Sequence, residues 1–193
     1  MAGGGAIAGM NWGENSRVGG FCVVVPMFNE QNGAESCVRR ISEVLAKLPQ
    51  RSALVTVNDG SRDATPAILN RLSQNLSNVT VIHHKTNQGY GAALRTGIEH
   101  AAKALFDYAL FMDSDLTNDP ADIPRFVEKM REGYDVIKAT RYSEGGEVSG
   151  GSGKLDHRGQ IGLFGDVSRF ADARRGGLVV VHRDFSVGDG RTI

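Results

Sequence analysis

Four carboxylates in this chain stand where a run of apolar residues stops: Glu30, Asp59, Asp113 and Asp115. The pair Asp113 and Asp115 follows TyrAlaLeuPheMet at Tyr108 to Met112, a run that delivers both acids from a buried strand to its rim. Carboxylates two residues apart project the same way from extended chain. Oxygen donors of this kind suit Mg²⁺ or Mn²⁺, and Mg²⁺ commonly takes one or two carboxylates together with substrate phosphates. Acidic triplets also occur as solvated turns and helix starts, and the apolar run before this one favours the metal.

The run ValAsnAspGlySerArgAsp, Val57 to Asp63, is rich in turn-forming residues. It can cap the next helix, and it can also form a nucleotide base and ribose pocket in which Asp59 accepts from a base N–H; one loop can serve both purposes. A third segment, His84 to Gly97, places Gly89 and Gly91 at a helix start, where backbone amides can face an anion. It lacks the GxGxxG spacing and follows the third strand, which disfavours a nicotinamide site. Close packing of the helix on the sheet is the competing role for Gly91 and Gly97. His83 and His84 have no partners at metal-ligand spacing and read as surface or strand-end residues.

The elements that must position these groups alternate along the chain. Phe21 to Val25 is continuously apolar, as in a central parallel strand covered on both faces. Pro26 removes a backbone donor and is expected to end the ladder; Asn29 is expected to cap a helix over about 31–48. Strands are predicted at 53–57, 79–83, 108–112 and 134–139, and helices at about 63–76, 88–105 and 122–131. Helix-length connections between strands imply βαβ units and a mostly parallel α/β sheet. Ligands of such sheets sit outside the carboxyl ends of the strands, which places Pro26, Phe28 and Glu30 at the expected site.

At 193 residues the chain suits one domain. Lysine plus arginine equals aspartate plus glutamate at 22 each, so no overall field favours nucleic acid. Cys22 and Cys37 have neither metal nor redox spacing and read as buried free thiols, consistent with a reducing cytoplasm. No stretch approaches the about 20 apolar residues of a membrane span, so membrane contact is expected to be peripheral. Residues 1–20 read as a glycine-rich flexible leader. Ser143 to Gly153 reads as a loop able to serve as lid or linker, followed by a helical pattern through Ala171 and a short strand at Leu178 to Val181.

Taken in order, ValValValProMetPheAsnGlu (23–30), AsnAspGlySerArgAsp (58–63), AsnGlnGlyTyrGlyAlaAlaLeuArgThrGly (87–97), AspSerAspLeu (113–116) and AlaThrArgTyrSerGluGlyGlyGluVal (139–148) resemble the family-2 glycosyltransferases of GT-A fold. Within that family the sequence is most similar to dolichyl- or polyprenyl-phosphate mannose synthases. The likeness covers Phe21 to Ser149. It implies a catalytic domain over 21–149, with a divergent or truncated acceptor-side tail over 150–193. It also implies a metal-dependent, inverting transfer of a hexose, mannose foremost, from GDP-mannose or UDP-glucose to a lipid phosphate. Pro26, Phe28, Glu30 and Asp59 would then surround the nucleotide, and Asp113 and Asp115 would hold Mg²⁺ or Mn²⁺, with Asp115 also catalytic. Arg141 would lie near a donor or acceptor phosphate, and Arg169 and Asp184 would be the matching acceptor-side charges. The implied location is the cytoplasmic membrane face, reached by peripheral contact or through a membrane-anchored partner subunit. The alternative is a catalytically impaired nucleotide-sugar-binding domain or partner subunit.

Overall fold

The computed structural model describes residues 20–132, 136–138, 179–182, 186–187 and 191–192. The leader, the Ser143 to Gly153 loop, the helical pattern after it, Arg141, Arg169 and Asp184 lie outside the described residues. Strand β1 (Phe21–Met27) leads to helix α1 (Ala34–Ala46), β2 (Ser52–Asn58), α2 (Thr65–Asn75), β3 (Val79–His83), α3 (Tyr90–Lys103) and β4 (Tyr108–Phe111). A 3-10 turn at Pro120–Asp122 opens α4 (Ile123–Arg131), and β5 (Val136–Lys138) follows. Strand β6 (Val179–His182) completes a six-stranded sheet in the order β3-β2-β1-β4-β6-β5. A separate hairpin pairs β7 (Ser186–Val187) with β8 (Arg191–Thr192).

Strands β1 to β4 are parallel, whereas β6 runs antiparallel to both β4 and β5. The short strand expected at Leu178 to Val181 is therefore an interior strand of the main sheet. Central strands need cover on both faces, and the alternation of β1 shows how they get it. Phe21, Val23, Val25 and Met27 point into one core with α1, α2 and α4. Cys22 and Val24 point into the other, with α3. Both cysteines are free and buried, and burial pushes each thiol up to about 12, which makes them inert at neutral pH.

Helix α3 lies close on β1. A Cβ on Gly97 would sit 2.2 Å from Val24 Cγ1, so packing accounts for this glycine. Gly91 is exposed in the first turn of α3 and has no such role.

Two local expectations are corrected. Pro26 does not end β1: it pairs in register with Val57, and the Met27 carbonyl accepts from the Asp59 amide. Residues of one parity address one neighbour. Val24, whose carbonyl accepts from the Met112 amide, faces β4, and so does Pro26. The missing N–H therefore falls where β4 has already stopped pairing at Phe111, and only that ladder ends. Asn29 is not a helix cap either. Its φ of 57° lies in the left-handed region, and α1 begins later, with Gly33 as its N-cap.

Candidate functional site

The carboxyl edge of the parallel strands carries two loops that hold each other in place. In the first loop the amides of Asn29, Glu30 and Gln31 donate to Ser61 Oγ, Thr65 Oγ1 and Asp63 Oδ2 of the second. In return, the amides of Arg62 and Ala64 donate to Asn29 Oδ1 and Gln31 Oε1. The left-handed Asn29 turns its side chain toward this second loop, which is why an asparagine there serves as a clasp. Gly60 is required by a closer approach. Its φ is 69°, and a Cβ would lie 2.4 Å from the Asn87 amide nitrogen.

Asp59 sits at the centre of these contacts. Its Oδ1 accepts from the Gln88 amide at 2.9 Å and from His84 Nδ1 at 2.6 Å, and Oδ2 accepts from the Gly89 amide at 2.8 Å. Burial alone would raise its pKa. The Gln88 and Gly89 amides and His84 outweigh that and hold the carboxyl below the usual range. The anion expected at the start of α3 is thus supplied by the protein itself: Asp59 occupies the amides of Gln88 and Gly89.

Asp113 and Asp115 stand in a contrasting environment. Asp113 Oδ1 accepts from the Tyr90 hydroxyl at 3.0 Å. Burial raises its pKa; the Tyr90 hydrogen bond opposes this and the charge of Asp115 adds to it. Asp115 Oδ1 accepts from the Thr117 amide and hydroxyl at 2.9 and 2.8 Å. The pair converges through a turn at Ser114 and Asp115 rather than along extended chain. Leu116, at φ 57°, brings Thr117 back onto Asp115.

One open cavity of about 360 Å³ gathers these groups: Pro26, Phe28 and Glu30 from the first loop, Asp59 from the second, and Asp113 and Asp115 beyond β4. Phe28 and Tyr90 keep 44% and 39% of their surface exposed, so apolar faces stand open beside the carboxylates. Among the described residues no lysine or arginine lines it. Among the described residues no three His, Cys, Asp or Glu side chains form a ready metal cluster.

His83 is exposed at the end of β3, as expected, whereas the side chain of His84, the next residue, departs from the surface reading. His84 is buried, its Nε2 2.9 Å from Thr96 Oγ1 and its Nδ1 on Asp59. His83 bridges Asn58 and Asn70. Strand register held the missed signal. Asn58 pairs with His83 in parallel β2 and β3, so the next residues, Asp59 and His84, emerge side by side.

Residues 22–185 match the glycosyl transferase family 2 model. The chain belongs to that family. It is 36% identical over 126 residues to an uncharacterised glycosyltransferase of Synechocystis sp., covering 65% of this chain and 39% of that protein. To the undecaprenyl-phosphate 4-deoxy-4-formamido-L-arabinose transferase of Klebsiella pneumoniae it is 33% identical over 120 residues, covering 62% and 36% of the two chains. This family 2 chain therefore spans little more than a third of the length of these relatives. Among solved structures, the mannosyltransferase PcManGT of Pyrobaculum calidifontis, in complex with GDP-Man and Mn²⁺, aligns over 84% of this chain and 44% of its own. Its TM-score of 0.58 at 19% identity shows the GT-A fold in common. Among the described residues no helix is long and apolar enough to cross a membrane.

Proposed function

We propose that this chain binds a nucleotide sugar at the carboxyl edge of its sheet and takes part in transferring a hexose to a polyprenyl phosphate. The observation that carries the proposal is the convergence of Pro26, Phe28, Glu30, Asp59, Asp113 and Asp115 on one cavity. Relatives named as undecaprenyl-phosphate sugar transferases, at 33% identity in the Klebsiella protein, supply the acceptor class. The proposed location is the cytoplasmic membrane face, through peripheral contact or a membrane-anchored partner subunit.

The donor set fits a hard cation. Among the described residues Asp113 and Asp115 are neighbouring acids with no lysine or arginine lining their cavity, and Oδ2 of each accepts from no protein donor. Two carboxylates leave coordination positions for diphosphate oxygens, the arrangement Mg²⁺ favours and Mn²⁺ tolerates. Such a cation, when bound, would neutralise the charge that develops on the leaving nucleoside diphosphate.

The chain's own groups do the rest. Asp59, fixed by its three donors, accepts from the base, and Phe28 offers a face against which the base can pack. Asp113 is steadied by Tyr90 and Asp115 by Thr117. A phosphate acceptor, whose second pKa is about 6, is largely ionised at neutral pH and needs no strong general base. It would displace the nucleotide in line, with inversion. Arg141 is proposed to lie near the donor or acceptor phosphate, and Arg169 and Asp184 on the acceptor side.

A panel of GDP-mannose and UDP-glucose, assayed with and without polyprenyl phosphate and Mn²⁺ or Mg²⁺, tests the proposal. Metal-dependent formation of glycosylated lipid phosphate is the expected result. Binding without turnover would instead favour a nucleotide-sugar-binding partner subunit, and absence of binding would reject both.

A further inference from the structure

The valences of Asp59 discriminate between the two candidate donors. A carboxylate offers about four acceptor positions, two on each oxygen. Oδ1 has both taken, by His84 Nδ1 and the Gln88 amide. Oδ2 has one taken, by the Gly89 amide. Counting donors among the described residues, one position remains on a side chain that lines the cavity. An ionised carboxylate can only accept, so the proton of the 2.6 Å contact belongs to His84 Nδ1. Nε2 meets the Thr96 hydroxyl, which anchors the ring to α3.

We infer that the cavity is built for a uridine rather than a guanosine nucleotide, and that His84 is the specificity-determining residue, acting through Asp59. This rests on reading the cavity as the nucleotide site. Uracil presents a single N–H, at N3, and one free acceptor position satisfies it. Guanine presents N1–H and the N2 amino group side by side and calls for two acceptors. With Oδ1 saturated, one guanine donor is left without a carboxylate partner as it is desolvated. Cytosine carries a lone pair at N3 and would face the carboxylate with no proton between them. His84 does not line the cavity; it fixes which oxygen is spent on the protein and which is left for the ligand.

The test titrates the full chain with UDP, GDP, CDP and ADP in the presence of Mn²⁺, for the native protein and for H84A and H84N. The native chain is expected to bind UDP about 10- to 100-fold more tightly than GDP, the worth of one hydrogen bond to a charged group. H84A releases a position on Oδ1 and is expected to weaken UDP binding and to narrow the UDP-to-GDP ratio to within about threefold, well short of the native preference. H84N is expected to restore the ratio, because an asparagine amide nitrogen reaches about where Nδ1 lies. If H84A does not fold, H84Q carries the test: its amide extends toward Thr96, leaves Oδ1 short of a donor and should narrow the ratio likewise. A lowered melting temperature with the native ratio intact in H84A or H84Q would show His84 to be structural only and overturn the proposal. Native GDP or ADP binding as tight as UDP overturns the base assignment while leaving the nucleotide site standing. Absence of all nucleoside diphosphate binding fails the site reading itself and the proposal with it.

Discussion

Asp59 and the Asp113–Asp115 pair line the same cavity, yet their surroundings are opposite. Asp59 is 3% exposed and accepts three hydrogen bonds from within the chain, which hold its pKa below the usual range. Among the described residues Asp113 has one donor, Tyr90, and its pKa is raised, first by burial and then by the charge of Asp115. One carboxylate has most of its acceptor positions filled by the fold, and the other two have no lysine or arginine beside them among the described residues. Groups completed by the protein can be rigid before the ligand arrives, whereas groups left incomplete have affinity to spare for a cation.

The contrast breaks most visibly at Asp59. Asp59→Asn would set an amide NH₂ or a weaker carbonyl acceptor against three donors, and a loss of about 2–3 kcal/mol of stability is expected. Nucleotide binding should be lost with it. Thermal unfolding across pH checks the cause. Because the folded-state pKa of Asp59 is depressed, its stabilisation is present above the ordinary value of 3.8 and is lost as pH falls through the lower folded value. The difference between native and variant melting temperatures should therefore be full at neutral pH and shrink below about pH 4. A difference that stays constant into acid would show that the charge of Asp59 is not what holds the loops.

Asp115→Ala should show the reverse balance. Its protein partners are the amide and hydroxyl of Thr117 in its own turn, and the residue is exposed. Stability should change by no more than about 0.5 kcal/mol. Mn²⁺-dependent nucleotide binding, measured by titration, should fall by more than about tenfold. Unchanged affinity would remove Asp115 from the metal role.

Asp113→Asn sharpens the comparison because the two halves of the site should differ in sign. The amide oxygen can still accept from Tyr90, while the repulsion with Asp115 and the cost of burying a charge disappear. A gain of about 0.5–1 kcal/mol at neutral pH is expected, together with weaker metal binding. A stability loss like that of Asp59→Asn would show that both carboxylates are structural.

Much of this layout was legible in the chain because β1 to β4 are short apolar runs whose ends carry polar residues, and the parallel order follows from helix-length connections. The convergence of Glu30, Asp59, Asp113 and Asp115 on one edge needed no more than that. Strand β6 was less legible. Leu178 to Val181 reads as a strand, but the place of β6 between β4 and β5 is a non-local pairing that no local pattern encodes. The role of His84 was missed because a lone histidine was weighed as a metal ligand or as a surface or strand-end residue, not as a donor to its neighbour across the sheet. Asn29 misled because a good N-cap residue is also a good left-handed residue, and here the clasp to the second loop decided its conformation.

Left-handed leucines give the smallest and cleanest version of the comparison. Leu116 and Leu105 have nearly the same φ, 57° and 56°, a conformation that costs a leucine about 1–2 kcal/mol. Leu105 sits beyond the end of α3, 70% exposed. Its amide donates to the Ala102 carbonyl and the next amide, of Phe106, to Ala101, the helix stop for which glycine is the usual residue. Leu116 packs against the core and turns Thr117 onto Asp115. Leu105→Gly should therefore raise stability by a few tenths to about 1 kcal/mol, after the entropy that glycine adds to the unfolded chain, and leave metal-dependent nucleotide binding unchanged. Leu116→Gly relieves the same strain but forfeits packing and frees the Asp115 turn, so stability and metal affinity should both fall. If the two variants behave alike, the strain beside Asp115 serves only the chain path; if they diverge, it is part of what holds that carboxylate toward the cavity.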